Sequence, residues 1–254
     1  MRVGAQLYTI RNYTQTEEAL ELAFKKLAQI GFKWIQVSGI GNIDPYKVRA
    51  LADAHKLDIV ITHTNPKEIL KDTEAVIKKH EIYGCQHIGI GSMPQGYERD
   101  LIGIRKFIKD YTEVAKKLQA RGMKLHYHNH GFEFEKFEGK LAYDVLIHET
   151  DPALWGFIPD TFWIQFAGIN AAKQLIALKD RVVACHFKDL TMKGHKQIMA
   201  PVMEGNLCFE EIIAACEIAH IAYAMIEQDD CNGEDPFNCL ERSFVNLRKV
   251  GVNE

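Results

Sequence analysis

The sequence predicts a single α/β domain of the (β/α)8 TIM barrel class, and three observations carry that prediction. Short runs rich in Val, Ile and aromatic residues alternate with longer segments of helical apolar spacing, which is typical of a parallel sheet. The alternation repeats eight times in 254 residues, or about 32 residues per unit, and a β-α-β unit needs roughly 30. The turn after the first strand, residues 7–11, lacks the glycines of an open dinucleotide-binding sheet. We therefore predict one barrel domain over residues 1–254.

Eight segments have the length and composition of buried parallel strands. Most are bounded by Gly, Pro or a polar turn residue, which limits each strand to four to eight residues. The predicted strands are Val3–Tyr8, Trp34–Val37, Leu57–His63, Gln86–Ile90, Lys124–His130, Trp155–Ile158, Arg181–Phe187 and Tyr223–Gln228.

The segments between the strands have the signals of amphipathic helices. In the first, the apolar face is preceded by Thr16 as the N-cap and is followed by Gly31, which ends the helix. Pro45 occupies the first turn of the second helix, a position where its missing N–H costs nothing. The predicted helices are Thr16–Ile30, Asp44–Lys56, Pro66–Tyr83, Leu101–Ala120, Leu141–Glu149, Asn170–Leu178, Phe209–His220 and Pro236–Val250.

Composition and charge exclude several classes of protein. Hydrophobic residues are 47% and charged residues 26%, values of an ordinary folded chain rather than a disordered one. The net charge of −3 provides no field that attracts nucleic acid, and no apolar run approaches the roughly 20 residues that span a membrane. Six cysteines without a CxxC pair, behind an N-terminus that does not resemble a signal peptide, lead us to expect a cytoplasmic protein.

Polar side chains concentrate where the predicted strands end. In a (β/α)8 barrel these carboxyl ends meet at one rim, which is where such proteins bind their ligands. Every strand end in the second half of the chain offers a carboxylate or an imidazole, a donor set that suits Mn²⁺, Mg²⁺, Co²⁺ or Zn²⁺. The rim positions include Gln6, Tyr8, Gln36, Ser38, His63, His126, His128, His130, Glu133, Asp160, Trp163, His186, Lys188, Asp189, Glu227, Gln228 and Asp229.

Most of these residues also have an ordinary structural interpretation. Asp160 fits an N-cap, Lys188 fits a surface ion pair with its neighbour, and Trp163 fits core filling. Glu227 is different because it follows the apolar run 222–226, and a buried carboxylate is costly unless it is paired or bound to a metal. The three histidines of the fifth strand share one face by alternation, where they either bind a metal or support its ligands.

Five motifs, in this order, carry a resemblance that covers essentially the whole chain. They are YHNHGFEF at 127–134, PDTFW at 159–163, HFKD at 186–189, EGNL at 204–207 and IEQD at 226–229. Together they resemble the sugar phosphate isomerase/epimerase group of the xylose isomerase-like TIM barrel superfamily.

The resemblance implies a divalent metal at the barrel mouth, with Mn²⁺ as the first expectation. Carried over, the metal ligands are Glu133, Asp160, His186 and Glu227. Relatives usually place the first of these glutamates on the fifth strand itself, where this chain has His128, so His128 competes with Glu133 for that position.

The resemblance also implies an isomerase or epimerase that removes a proton next to a carbonyl and passes through an enediolate. In that interpretation Glu133 and Glu227 are the acid–base pair, and Lys188 stabilises or protonates an oxygen. The residues expected to hold the substrate are His63, His128, His130 and Trp163.

Three other functions remain open from the sequence. Related proteins act as dehydratases of keto-inositols or 3-keto sugars, and a non-catalytic sugar-binding barrel would keep the same fold. A DNA-repair endonuclease is disfavoured because the chain has no basic stripe. We expect an unphosphorylated sugar, polyol or keto-sugar as substrate, since residues 195–205 contain no Gly-rich phosphate loop. The resemblance further suggests a homo-oligomer.

Overall fold

The computed structural model of the protein describes residues 1–252 and confirms the predicted barrel, an eight-stranded parallel sheet with helices between successive strands. Residues 253 and 254 of the predicted 1–254 domain lie outside the described residues. The barrel strands are β1 (Arg2–Gln6), β2 (Trp34–Val37), β3 (Asp58–His63), β4 (His87–Ile90), β5 (Lys124–His128), β6 (Trp155–Ile158), β7 (Ala184–Phe187) and β8 (Tyr223–Ile226).

The sheet closes on itself between β6 and β7. Hydrogen-bonded neighbours run in the order β6-β5-β4-β3-β2-β1-β8-β7, so these two strands are the ends of the ladder. Two isolated parallel bridges join them, Phe157 with Val182 and Asp160 with His186. The second bridge places Asp160, two residues past the end of β6, beside His186 of β7 at the rim.

The helices surround the strands and bury their apolar faces against them. In the first helix Leu20, Phe24 and Leu27 are completely buried, and burying a side chain of this size contributes about 1.5–3 kcal/mol. Among residues 1–252, no helix combines the length and the apolar character needed to span a lipid bilayer. The α-helices are α1 (Glu17–Ile30), α2 (Pro45–Ala54), α3 (Pro66–Lys71), α4 (Thr73–Tyr83), α5 (Leu101–Gln119), α6 (Ala142–Glu149), α7 (Thr161–Phe166), α8 (Ala171–Ala177), α9 (Phe209–Ile218) and α10 (Pro236–Lys249).

Three barrel strands end two residues before the sequence predicted. β1 ends at Gln6, because a 3-10 segment over Leu7–Tyr13 follows and the Gln6 side chain accepts a hydrogen bond from its second residue. β5 ends at His128 and β8 at Ile226 rather than at residues 130 and 228. Polar residues just past a strand end form hydrogen bonds with loops rather than with a neighbouring strand. The alternation of polar and apolar residues does not reveal where the strand pairing stops.

The predicted helix Pro66–Tyr83 is two helices, α3 and α4. Asp72 separates them with non-helical φ and ψ of −146° and 77°. Its side chain accepts a hydrogen bond from the Ala75 N–H at 2.9 Å and so caps α4. An aspartate inside an apolar helical pattern is therefore a break here, since its side chain competes for backbone donors.

Two further elements near the rim were not predicted. α7 follows β6 directly, and Asp160 caps it by accepting a hydrogen bond from the Trp163 N–H at 3.0 Å. An antiparallel hairpin of Asp189–Lys193 and Lys196–Ala200 follows β7. The Asp189 carboxylate then accepts hydrogen bonds from the Gly205 N–H at 2.9 Å and the Leu207 N–H at 3.2 Å. The EGNL motif is thus a loop held by one buried carboxylate.

Candidate active site

A cavity of about 540 Å³ opens at the carboxyl end of the strands. That volume lies within the range of sites that enclose small molecules. Five of the residues predicted for the site line it, and Asp229 of the IEQD motif joins them. The predicted ones are His63, His128, His130, Lys188 and Glu227.

Four buried side chains lie together here: His128 of β5 and Glu227 after β8, which line the cavity, and Asp160 after β6 and His186 of β7 beside them. One nitrogen or oxygen from each lies within 4.8 Å of the others. Asp160 Oδ2 is 4.0 Å from His128 Nε2 and 3.9 Å from His186 Nδ1, and the latter is 2.8 Å from Glu227 Oε2. We refer to these four residues as the rim cluster.

Both histidines of the rim cluster direct a ring nitrogen into it. His128 Nδ1 lies 3.1 Å from the Ile158 carbonyl oxygen and donates to it, which leaves Nε2 facing Asp160. His186 Nε2 lies 2.8 Å from Gln36 Oε1, which leaves Nδ1 facing Glu227. Burial lowers the pKa of His128 well below its ordinary value, so that ring is neutral. An imidazole held through its other N–H in this way is a prepared metal ligand.

Lys188 supplies a positive charge beside the rim cluster. Its side chain is 1% exposed, and Nζ lies 2.9 Å from Asp160 Oδ2, 2.9 Å from Glu227 Oε2 and 3.0 Å from Asp229 Oδ2. Burial alone would lower the pKa of this ammonium group, but the three carboxylates raise it. With all three carboxylates ionised, one ammonium leaves an excess of two negative charges, which a divalent cation would neutralise.

The electrostatics of the two carboxylates in the rim cluster differ. Burial raises the pKa of Asp160, with Lys188 acting against it. Burial also acts to raise the pKa of Glu227, but the charges of Lys188 and His186 outweigh it and hold that pKa well below its ordinary value. Glu227 is therefore the carboxylate of the pair that stays ionised most readily.

The donor atoms of the rim cluster fit a divalent metal. Within residues 1–252, Asp160 Oδ2, His186 Nδ1 and Glu227 Oε2 are buried without an aligned hydrogen bond, although Lys188 Nζ lies close to two of them. At 2.8 Å, His186 Nδ1 and Glu227 Oε2 repel each other as two acceptors unless a proton or a metal cation lies between them. Two imidazoles and two carboxylates, with no thiolate, are ligands suited to Mn²⁺, Mg²⁺, Co²⁺ or Zn²⁺.

Glu133, the expected ligand from the fifth strand, lies outside the rim cluster. Its Oε1 accepts a hydrogen bond from the Tyr127 hydroxyl at 2.6 Å, and its Oε2 accepts one from the His130 N–H at 2.8 Å. Burial raises the pKa of Glu133 to about 7. Both oxygens already have partners beside the 3-10 turn Phe132–Phe134, and the β5 side chain found in the rim cluster is His128.

The other predicted site residues surround the rim cluster. The His63 ring centroid is 5.0 Å from that of His128 and 5.2 Å from that of His186. Trp163 reaches the site beside His130, with ring centroids 5.6 Å apart, and Lys188 Nζ lies 5.9 Å from its ring centroid. Within residues 1–252, His63 Nε2, His130 Nδ1 and Trp163 Nε1 are buried atoms without a hydrogen-bond partner.

The third histidine of β5 belongs to a different part of the barrel. His126 Nε2 lies 3.0 Å from His87 Nδ1 at the start of β4, away from the rim cluster. Burial lowers the pKa of His126 well below its ordinary value. The β5 histidines therefore share one face of the strand but lie at different levels of the barrel, with His126 away from the rim.

Sequence reasoning missed several residues that line the cavity, among them Arg11 and Thr64. The Arg11 guanidinium donates to the carbonyl oxygens of Tyr8 at 2.9 Å and Asp229 at 3.1 Å, so it joins the loops after β1 and β8. Both residues lie just past a strand end, and the same argument that selected His63 applies to them.

The protein is thus a TIM barrel whose polar side chains collect at the carboxyl ends of the strands, where proteins of this class have their sites. The sequence pattern of the family described as xylose isomerase-like TIM barrel matches residues 24–226. The chain belongs to this family. No curated protein sequence is significantly similar to it.

Solved structures with the same fold include proteins of different chemistry. A sugar phosphate isomerase/epimerase from Parabacteroides distasonis is 18% identical, with a TM-score of 0.82 over 100% of this chain and 99% of its own. A D-allulose 3-epimerase from Methylomonas sp. is 13% identical, with a TM-score of 0.73 over 98% of this chain and 97% of its own. A probable 3-DHS dehydratase from Bacillus anthracis is 11% identical, with a TM-score of 0.73 over 98% and 99%. At these identities the likeness concerns the fold.

Proposed function

We propose that the protein is a divalent-metal-dependent sugar isomerase or epimerase. The observation that supports this most is the grouping of His128, Asp160, His186 and Glu227, two of which line a cavity large enough for a sugar. The isomerase/epimerase from P. distasonis and the D-allulose 3-epimerase share the fold and are consistent with that chemistry.

The four residues of the rim cluster would hold the metal, with His128 in the place first expected for Glu133. Mn²⁺ is our first choice, and Mg²⁺, Co²⁺ and Zn²⁺ suit the same donors. When bound, the metal supplies electrophilic polarisation of the substrate carbonyl. Gln36 keeps the His186 ring in the tautomer that this requires.

The side chains around the metal position carry out proton transfer, charge stabilisation and substrate binding. Glu227, ionised and buried, takes a proton from the carbon next to the carbonyl, and the substrate becomes an enediolate. The fixed charge of Lys188, 2.9 Å from the same carboxylate, stabilises negative charge that develops on a substrate oxygen. His63 and His130 hydrogen-bond to sugar hydroxyls through their unpartnered nitrogens, and Trp163 offers an apolar face to the sugar.

The position of Glu133 favours a second candidate, a dehydratase of a keto-inositol or 3-keto sugar. Glu133 and Glu227 were expected to share proton transfer, but only Glu227 lies in the rim cluster. With one carboxylate base, Glu227 can pass the proton that it has taken to a neighbouring hydroxyl, which leaves the enediolate as water, rather than return it to another carbon. The probable 3-DHS dehydratase from B. anthracis shares the fold and is consistent with this candidate.

Deuterium incorporation separates the two candidates. The purified protein is incubated in D₂O with Mn²⁺ and a panel of D-fructose, D-allulose, D-glucose, 3-keto-glucose and a keto-inositol, and the products are followed by NMR and mass spectrometry. Isomerised or epimerised sugar that carries deuterium on carbon is the expected result. A product lighter by one water would contradict it and support the dehydratase. Glu227→Gln should abolish either product, whereas the surface variant Glu113→Gln should not.

A further inference from the structure

A buried hydrogen-bond chain leads from α4 to the wall of the cavity. His80 on α4 is completely buried, and its Nδ1 lies 2.7 Å from the Val76 carbonyl oxygen. Its Nε2 lies 2.8 Å from Thr62 Oγ1 on β3, which in turn lies 3.0 Å from Thr64 Oγ1. Thr64 lines the cavity and is the last member of the chain.

Which atom donates in each of these hydrogen bonds follows from the chemistry of the groups at the two ends of the series. A carbonyl oxygen only accepts, so His80 Nδ1 carries the proton that goes to Val76. Burial lowers the pKa of His80 to about 4, so the ring is neutral near pH 7 and Nε2 has a free lone pair. The Thr62 hydroxyl must donate to that lone pair, because a buried acceptor without a partner is costly. The Thr62 oxygen can then only accept the hydroxyl proton of Thr64.

We propose that Thr64 is a specificity-determining residue that presents the substrate with a hydrogen-bond acceptor and no donor. Its single proton is directed at Thr62, so Oγ1 has only lone pairs left for a ligand in the cavity that Thr64 lines. This selects a sugar with a free hydroxyl at the contacted position over one with a carbonyl, ether or deoxy carbon there. The inference rests on the proposed function in so far as the bound molecule is a sugar.

This arrangement discriminates between ligands because the Thr64 hydroxyl cannot reorient to suit each of them. A free threonine hydroxyl rotates and serves as donor or acceptor as the ligand requires, whereas Thr64 is fixed by a partner that is itself fixed. A ligand that lacks the matching hydroxyl leaves the lone pairs of Thr64 Oγ1 buried without a donor, and sites of this kind reject such analogues strongly.

The proton direction is tested without any substrate. ¹⁵N NMR of the histidine-labelled protein, with the His80 signals assigned by their loss in His80→Leu, should show a neutral ring protonated on Nδ1 near pH 7. A ring protonated on Nε2, alone or together with Nδ1, would reverse the chain and overturn the proposal while leaving the proposed function untouched.

The sugar contact is tested with whichever member of the deuterium panel the protein converts, together with its mono-O-methyl ethers. Thr64→Val should lower kcat/KM about tenfold, mainly through KM, and Thr64→Ser should stay within about twofold of the wild type. For one ether, the penalty seen with the wild type should disappear in Thr64→Val. Thr62→Val, which frees the Thr64 proton, should reduce the same penalty.

These outcomes distinguish selection from a purely structural role. A destabilised Thr64→Val would lower activity toward the sugar and all its ethers alike, and that result would overturn the proposal. If the wild type converts no sugar of the panel, the proposed function and the sugar contact both fail, and the NMR result still decides the proton direction.

Discussion

The rim cluster depends on hydrogen bonds made by atoms that face away from it. Ile158 O fixes the His128 ring and Gln36 Oε1 fixes the His186 ring, so each ring directs its other nitrogen at the cluster. Glu133 shows the reverse case, because its two oxygens are already bonded to Tyr127 and the His130 N–H. Whether a side chain can act as a ligand is thus decided by what its remaining atoms bond to.

Exchanging the two candidates for the β5 position gives a direct test. His128→Gln should lower the bound divalent metal well below one per chain, whereas Glu133→Gln should retain the wild-type content, since only His128 faces Asp160 and His186. Metal content is measured by mass spectrometry after loading with Mn²⁺ and dialysis. Loss of metal in Glu133→Gln alone would return the ligand role to Glu133.

Gln36 should matter for metal affinity although it is not a ligand. Gln36→Leu removes the acceptor that holds the His186 tautomer, and partners of this kind typically change metal affinity by about 10–100-fold. Gln36→Glu keeps an acceptor oxygen and is the matched control. Competition with a metal buffer gives the dissociation constants, and unchanged affinity in Gln36→Leu would argue against metal binding by His186.

At the scale of elements, the loops after the strands position the site more than the strands do. α7 begins on Asp160 itself, so one carboxylate both caps a helix through Oδ1 and faces the rim cluster through Oδ2. After β7, the hairpin Asp189–Ala200 returns to the rim and the Asp189 carboxylate fastens the EGNL loop beneath it. The backbone that follows Lys188 is therefore fixed by the hairpin and by the bonds between Asp189 and the EGNL loop.

Gly205 is the point where that loop cannot tolerate a side chain. A Cβ at this position would lie 2.4 Å from Asp189 Oδ1 and 2.5 Å from the Leu190 carbonyl oxygen. We expect Gly205→Ala to lower the free energy of unfolding by about 1–3 kcal/mol, measured by urea denaturation. Gly131→Ala is the control, because its nearest neighbours lie at 3.6 Å. Equal stability of the two variants would show that the loop moves without cost.

At the scale of the whole molecule, barrel closure assembles the site from distant parts of the chain. The bridge between Asp160 and His186 closes the sheet and places two members of the rim cluster side by side. Gln36 and His186, which hydrogen-bond across the barrel, are 150 residues apart in the sequence. Global unfolding must therefore dismantle the site, and the stability of the fold should respond to the charges buried there.

Glu133 should make stability fall as pH rises from about 4.5 to 7. Its pKa is about 7 in the fold against 4.5 as the ordinary value, so in this interval the folded chain holds a proton that the unfolded chain releases. By linkage this group costs on the order of 3 kcal/mol of stability above pH 7, and nothing below pH 4. Glu133→Gln, neutral at every pH, should remove that slope.

The measurement is the free energy of unfolding against pH for the wild type and Glu133→Gln. The difference between the two proteins should change steadily across the interval and level off above pH 7. Parallel curves would mean that Glu133 is ionised in the fold with an ordinary pKa. Glu113→Gln, an exposed substitution on α5, controls for the loss of a carboxylate as such.

The sequence by itself determined the barrel and the neighbourhood of Asp160, His186 and Glu227. Eight alternations of strand and helix pattern specify a parallel barrel, and strand ends in such a barrel share one rim, so local periodicity sufficed. The tertiary structure placed His128 rather than Glu133 in the rim cluster, brought Gln36 to His186 and linked His80 to Thr64 through Thr62. Those outcomes depend on where the chain leaves a strand and on hydrogen bonds between distant segments, because periodicity specifies which face a side chain occupies but not the partner it finds there.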